Sequence, residues 1–338
     1  MGIHHQGSSA QTTMTTRERM HAALRGLPVD RPAISLWQHF PEQDRSAAGL
    51  TEVTVAFQRQ LNLDFVKLMP TGMYSVMDYG VDVHVADDAS GTTRFVAGPI
   101  GRPADWAHLR PVHPERGMLG IMLDAVRRIR AALGPEVPLL QTIFSPLTMA
   151  TKMVEEWIDP SADDETWVHQ GLAQLTDDAV AFGRACLDAG VDGFFYATQN
   201  ATRVGAARKT YARFGEPYDR MVLERLRTPG SYTVMHLHGA EPLFELAGTM
   251  PIDGINWHDR DTAPSLTAAL ALTQRGLVGG ISRGGVIATG SPQQAATHAR
   301  EALAQTNGRR HILAPGCVIP ITAPVENLIA VRQVVETF

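Results

Sequence analysis

Residues 184–198 read Arg-Ala-Cys-Leu-Asp-Ala-Gly-Val-Asp-Gly-Phe-Phe-Tyr-Ala-Thr: a helical pattern stops at Gly190, and soon afterwards the apolar run Gly193–Thr198 begins. Glycine just past the last helical residue accepts the left-handed backbone that ends helices. A short apolar run between such helices reads as a buried parallel strand. The same unit recurs. Apolar runs lie at Ala33–Trp37, Phe65–Met69, Leu139–Phe144, Tyr232–Gly239, Gly254–His258, Leu277–Ile281 and His311–Gly316, and the helical stretch from Ala271 closes at Gly276 before Leu277. Eight runs in series with helices between them favour an α/β fold of the (β/α)8 TIM-barrel type over an open doubly wound sheet.

Between the second and third runs, Val81, Val83 and Val85 alternate before an Asp-Asp-Ala-Ser-Gly turn and Arg94-Phe95-Val96, so 81–97 reads as a hairpin inserted near the barrel mouth. Met1 to Met14 is small and polar, with a His4-His5 pair, and reads as a disordered leader or tag remnant. A single barrel domain is then expected over 15–338. It opens on a helix with a capping box, Thr15 with Glu18, and an apolar stripe of Met20, Ala23 and Leu24.

The 338 residues are 44% hydrophobic and 19% charged, enough apolar content for a large core. Thirty Lys+Arg against 35 Asp+Glu, with no basic stripe, argue against nucleic acid. The sequence has no apolar run long enough for a membrane span and no signal-peptide pattern, so a cytoplasmic protein acting on a small-molecule substrate is expected. Two cysteines make no disulfide framework. Cys186 lies in an apolar helical stretch and reads as packing, which leaves Cys317 to be judged on its chemistry.

In such a barrel the reactive groups gather at the C-terminal strand ends. The fifth run ends His236-Leu237-His238, and strand alternation turns both imidazoles to one side and Leu237 to the other. The eighth ends Pro315-Gly316-Cys317 at the same face. His236, His238 and Cys317 make a three-ligand zinc set whose fourth position is open, the mark of catalytic rather than structural zinc. The same residues also fit a plainer description, strand-end histidines with packed neighbours and a small buried thiol. Trp37, Gln38, His39, Gln141, Gln199, Asn256 and Arg283, at or after other strand ends, are candidate substrate contacts, although Arg283 equally suits holding a loop. Tyr74 and His258 are candidates for accepting a proton or orienting the substrate. The chain has no Gly-rich phosphate loop.

Over nearly its whole length after the leader the sequence resembles the uroporphyrinogen decarboxylase superfamily, and within it the zinc-dependent methylcobamide:thiol methyltransferases of coenzyme M type. The resemblance is carried by TTRERMHAALRGLPVDRP at 15–32, DFVKLMP at 64–70, DAGVDGFF at 188–195, GSPQQ at 290–294 and, most specifically, HILAPGCVIPITAPVENL at 311–328. It implies a barrel with its cleft at the C-terminal strand ends, often dimeric. The porphyrinogen-decarboxylating members carry an Arg-rich motif after the first strand and an acidic residue after the second. Trp37-Gln38-His39-Phe40 and Met69-Pro70-Thr71-Gly72 stand there instead, so a polycarboxylate macrocycle loses its charge partners.

The methyltransferase branch binds zinc through His-x-Cys and a later Cys. His236 matches the His, His238 stands in place of the first Cys, and Cys317 matches the second. One thiolate in place of two makes the zinc more positive, which acidifies a bound thiol more but weakens the resulting nucleophile. The resemblance thus implies zinc-assisted methyl or alkyl transfer to a thiol or similar nucleophile. The donor would be a corrinoid (methylcobalamin) brought in trans by a corrinoid protein, since Asp-x-His-x-x-Gly is absent here. Two other readings compete: a metal-dependent lyase, decarboxylase-like enzyme or hydrolase acting on a small carboxylated substrate, and a metal-free, non-catalytic binding protein on the same barrel.

Overall fold

A computed structural model describes residues 13–85, 88–157 and 165–338. Nearly all of the expected leader, and part of the turn expected at 87–91, lie outside the described residues. Among the described residues ten strands follow in chain order: β1 (Ala33–Ile34), β2 (Val66–Leu68), β3 (Asp82–Val85), β4 (Thr93–Ala97), β5 (Leu139–Phe144), β6 (Gly193–Thr198), β7 (Tyr232–Leu237), β8 (Gly254–Trp257), β9 (Gly276–Ile281) and β10 (His311–Pro315). β3 and β4 pair antiparallel with each other. The other eight form one parallel sheet in the order β1-β10-β9-β8-β7-β6-β5-β2, a curled TIM-type barrel that follows the eight apolar runs. β1 and β2 share no ladder. Their seam is bridged instead by Asp64 N–H donating to Ile34 O at 2.8 Å and by Ser35 Oγ donating to Phe65 O at 2.9 Å.

Strand alternation divides the core in two. Phe65, Met69, Trp37, Leu140, Phe195, Val234 and Val278 fill the barrel interior, and Val66, Leu68, Leu139, Phe194, Met235 and Leu277 pack outward against helices. Helix Thr16–Arg25 closes the lower end. It begins with the Thr15/Glu18 capping box, ends at left-handed Gly26 (φ 69°), and sends Met20, Ala23 and Leu24 into the interior cluster. Leu24 lies against the first residues of β8 and β9, where a Cβ on Gly254 or Gly276 would come within 2.9 Å or 2.7 Å of its Cδ2. Glycine at those two positions lets the plug seat. No helix among the described residues is long and apolar enough to cross a membrane.

Candidate metal centre and cavity

The fifth and eighth barrel strands of the sequence reading are β7 and β10. β7 runs into His236-Leu237-His238, with Leu237 fully buried on the outer side and both histidines lining a cavity of about 510 Å³ at the C-terminal strand ends. Cys317, just past β10, lines the same cavity. Its approach depends on Gly316, because a Cβ there would lie 2.8 Å from Trp257 O and 3.0 Å from the Cα of His258. That contact draws the end of β10 onto the end of β8 and brings His258 into the group. His236, His238, His258 and Cys317 each offer a ligand atom, and all four atoms lie within 4.8 Å of one another. Cys317 Sγ is 3.6 Å from His238 Nδ1.

These residues fit zinc. Tetrahedral zinc with bonds of about 2.0–2.3 Å sets its ligand atoms roughly 3.3–3.8 Å apart, so small side-chain shifts complete the site. Three imidazoles and a thiolate also suit zinc better than magnesium or calcium. Burial holds His236 well below the ordinary histidine pKa, with His238 and His258 adding to the effect. Burial likewise depresses His238 to about 4 and lowers His258. The rings are therefore neutral, with lone pairs to offer. Burial pushes the Cys317 thiol up, and Arg283 pulls against it. The buried His258 Nε2 has no hydrogen-bond partner among the described residues.

Asn256 supplies the orienting contact. It is the register partner of His236 across β7 and β8, so both side chains face the same way. Its Nδ2 donates to Val278 O at 2.7 Å and Pro315 O at 3.0 Å, which turns Oδ1 toward His236 Nδ1, 2.5 Å away. Nδ1 must then carry the proton, leaving Nε2 as the ligand atom. Asn256→Ala is expected to weaken zinc binding about 10- to 100-fold, read by competition with a chelating dye, because it frees the ring while removing no ligand.

Other sequence candidates divide by placement. Trp37, His39, Gln199 and Arg283 line the cavity, His39 buried and Arg283 and Gln199 exposed at its rim. Gln38 instead faces a small cleft with Phe40 and Phe57. Gln141 is buried, and its amide donates to Thr142 O. Asn256, expected to touch substrate, is fully buried behind His236. His258 lies among the candidate ligand atoms, so the expected three residues gain a fourth candidate. Tyr74 needs correction: it starts the short helix Tyr74–Met77, its ring packs on Phe144 and Phe182, and its hydroxyl donates to Thr142 O. That helix turns the side chain into the outer layer, away from the cavity. The sequence reading did not single out two cavity residues, Lys67 and Lys152. Lys67 left a signal, a lysine on the inward face of an apolar strand, whereas Lys152 ends a helix and left none.

The family profile described as Uroporphyrinogen decarboxylase (URO-D) matches residues 15–338. The methylcobamide:CoM methyltransferase MtbA of Methanosarcina acetivorans is 21% identical over 332 residues, covering 94% of this chain and 96% of that protein. A uroporphyrinogen decarboxylase of Nocardia farcinica is 31% identical over a shorter 229 residues, 64% of this chain and 61% of its own. Among solved structures, a methyltransferase from Methanosarcina mazei superposes with a TM-score of 0.83 at 22% identity, over 96% of this chain and 99% of that one.

Proposed function

The chain belongs to the uroporphyrinogen decarboxylase family, and from that premise we propose that it is a zinc-dependent methyl or alkyl transferase acting on a thiol or similar nucleophile. The donor in this reading is a methylcorrinoid, carried by a partner protein that docks over the barrel mouth. The observation that carries it is the cluster of three histidines and a cysteine, of which His236, His238 and Cys317 line a substrate-sized cavity. Full-length similarity to proteins named methylcobamide:CoM methyltransferases supports the reaction class. A cytoplasmic setting, which keeps Cys317 reduced, goes with it.

Bound zinc would supply Lewis acidity, lowering the pKa of a thiol that reaches it. The chain's own residues do the rest. Asn256 holds His236 in one tautomer and orientation. His258, whose Nε2 has no hydrogen-bond partner among the described residues, would be the donor to yield its place to a substrate and take the substrate's proton. Trp37 and Phe195, edge to face with centroids 5.2 Å apart, wall the cavity with apolar surface and keep water from the nucleophile.

X-ray absorption at the zinc edge tests the acceptor. A new sulfur neighbour on adding the right thiol is expected, and a coordination shell unchanged across a panel of thiols rules out thiol transfer and leaves the lyase or hydrolase reading.

A further inference from the structure

The described residues that line the cavity include three cations, Lys67, Lys152 and Arg283, and no aspartate or glutamate. Lys67 is 8% exposed, and its Nζ meets two ring faces, 4.7 Å from the Phe195 centroid and 5.7 Å from that of Trp37, and the sulfur of Met69 at 2.6 Å. Lys152 is placed alike, its Nζ 4.8 Å from the Phe144 centroid and 3.9 Å from the sulfur of Met73. Neither has a carboxylate within ion-pair distance among the described residues. Ring faces and thioethers attract an ammonium but leave its N–H donors without a strong acceptor. His39, 8% exposed, lines the same cavity, with a buried Nδ1 that has no partner among the described residues.

We propose that this cavity binds an amphipathic organic acid, a carboxylate on a ring-sized apolar body, whose charge is met by Lys67 and Lys152 and whose body lies against Trp37, Phe144 and Phe195. The proposal rests on the reading above only in that the same cavity takes the substrate. Charge selects the head: burial lowers Lys67 to about 7 and Lys152 to about 8, and an arriving carboxylate supplies the partner that favours their charged forms. His39, held to about 3 by burial and then by the two lysines, is neutral and free to hydrogen-bond the same head. Size selects the body, since about 510 Å³ walled by aromatic and aliphatic side chains far exceeds what a two-carbon acid fills.

Isothermal titration calorimetry with benzoate, its neutral analogue benzamide, and acetate tests this, on the whole protein before and after metal removal with a chelator. Benzoate is expected to bind about tenfold tighter than either of the others, a preference that survives metal removal. Lys67→Met and Lys152→Met should each weaken benzoate about five- to tenfold and leave benzamide unchanged. Lys152, half-buried at a helix end, keeps the test available should the Lys67 variant fail to fold. Benzamide or acetate binding as tightly as benzoate overturns the proposal. So do folded lysine variants that bind benzoate like the parent, absence of benzoate binding at millimolar concentration, or benzoate binding lost with the metal. A chain that never holds metal would end the transferase reading and leave this one standing.

Discussion

Purified without an immobilised-metal column, the protein is expected to carry about one zinc per chain by plasma mass spectrometry, and His236→Ala or Cys317→Ala to carry almost none after dialysis against a chelator. Apparent zinc-binding free energies of about 10–16 kcal/mol over four ligands put each near 3 kcal/mol, or roughly a hundredfold in affinity. The informative comparison is with His258→Ala. Among the four candidate donors, His236 is braced by Asn256, and His238 and Cys317 contact each other, whereas His258 Nε2 has no partner among the described residues. If His258 is the exchangeable position, water replaces it and His258→Ala keeps its zinc. If His258→Ala loses zinc as completely as Cys317→Ala, the site is a closed four-ligand structural centre and the transferase proposal falls. A wild-type chain without metal favours the binding-protein reading instead.

How much of this was legible in the sequence follows from what each signal depends on. The eight strands were readable because each is a short apolar run bounded by a glycine or a polar turn, a local property. The His236/His238 pair was readable because alternation along one strand fixes which side chains share a face. His258 at the same centre was not, since it needs the register between β7 and β8 and the close approach of Gly316, both of which involve residues far apart in sequence. Asn256 was singled out at the right strand end, but its contact with His236 was not legible, because nothing local shows that Val278 O and Pro315 O claim its amide. Tyr74 failed for the opposite reason: a residue shortly after a barrel strand was expected at the cavity, and a single helical turn there aimed it outward. The motif at 15–32 was visible as a resemblance, but its physical role was not, because its partner carboxylate lies at Asp64.

That carboxylate sets the largest expected change in stability. Asp64 is fully buried, accepts from Arg19 Nη1 at 2.6 Å and Arg31 Nη1 at 2.8 Å, and also takes the backbone N–H of Ile34 at 2.9 Å. Arg19 is 4% exposed and shares a second carboxylate, Asp30. Asp64→Ala strips one acid from two guanidiniums that stay out of water, a change of about 3–5 kcal/mol, which is expected to lower Tm by roughly 4–7 °C in a chain of this size. Asp64→Asn, which keeps an acceptor, should lose less. Asp30 adds a pH signature: its hydrogen bond with Arg19 holds it at about 2 against an ordinary 3.8. A depressed acid contributes stability that is complete above 3.8 and disappears as pH falls through about 2, here about 2 kcal/mol, so Asp30→Asn should flatten the acid limb of Tm against pH in that window. The network bridges the one seam of the barrel that has no ladder, and the same two strands lead into Trp37 and His39 on one side and Lys67 and Met69 on the other. Loosening Asp64 should therefore weaken benzoate binding as well as lower Tm. An Asp64→Ala protein that melts lower yet binds benzoate like the parent would separate the seam from the cavity it adjoins.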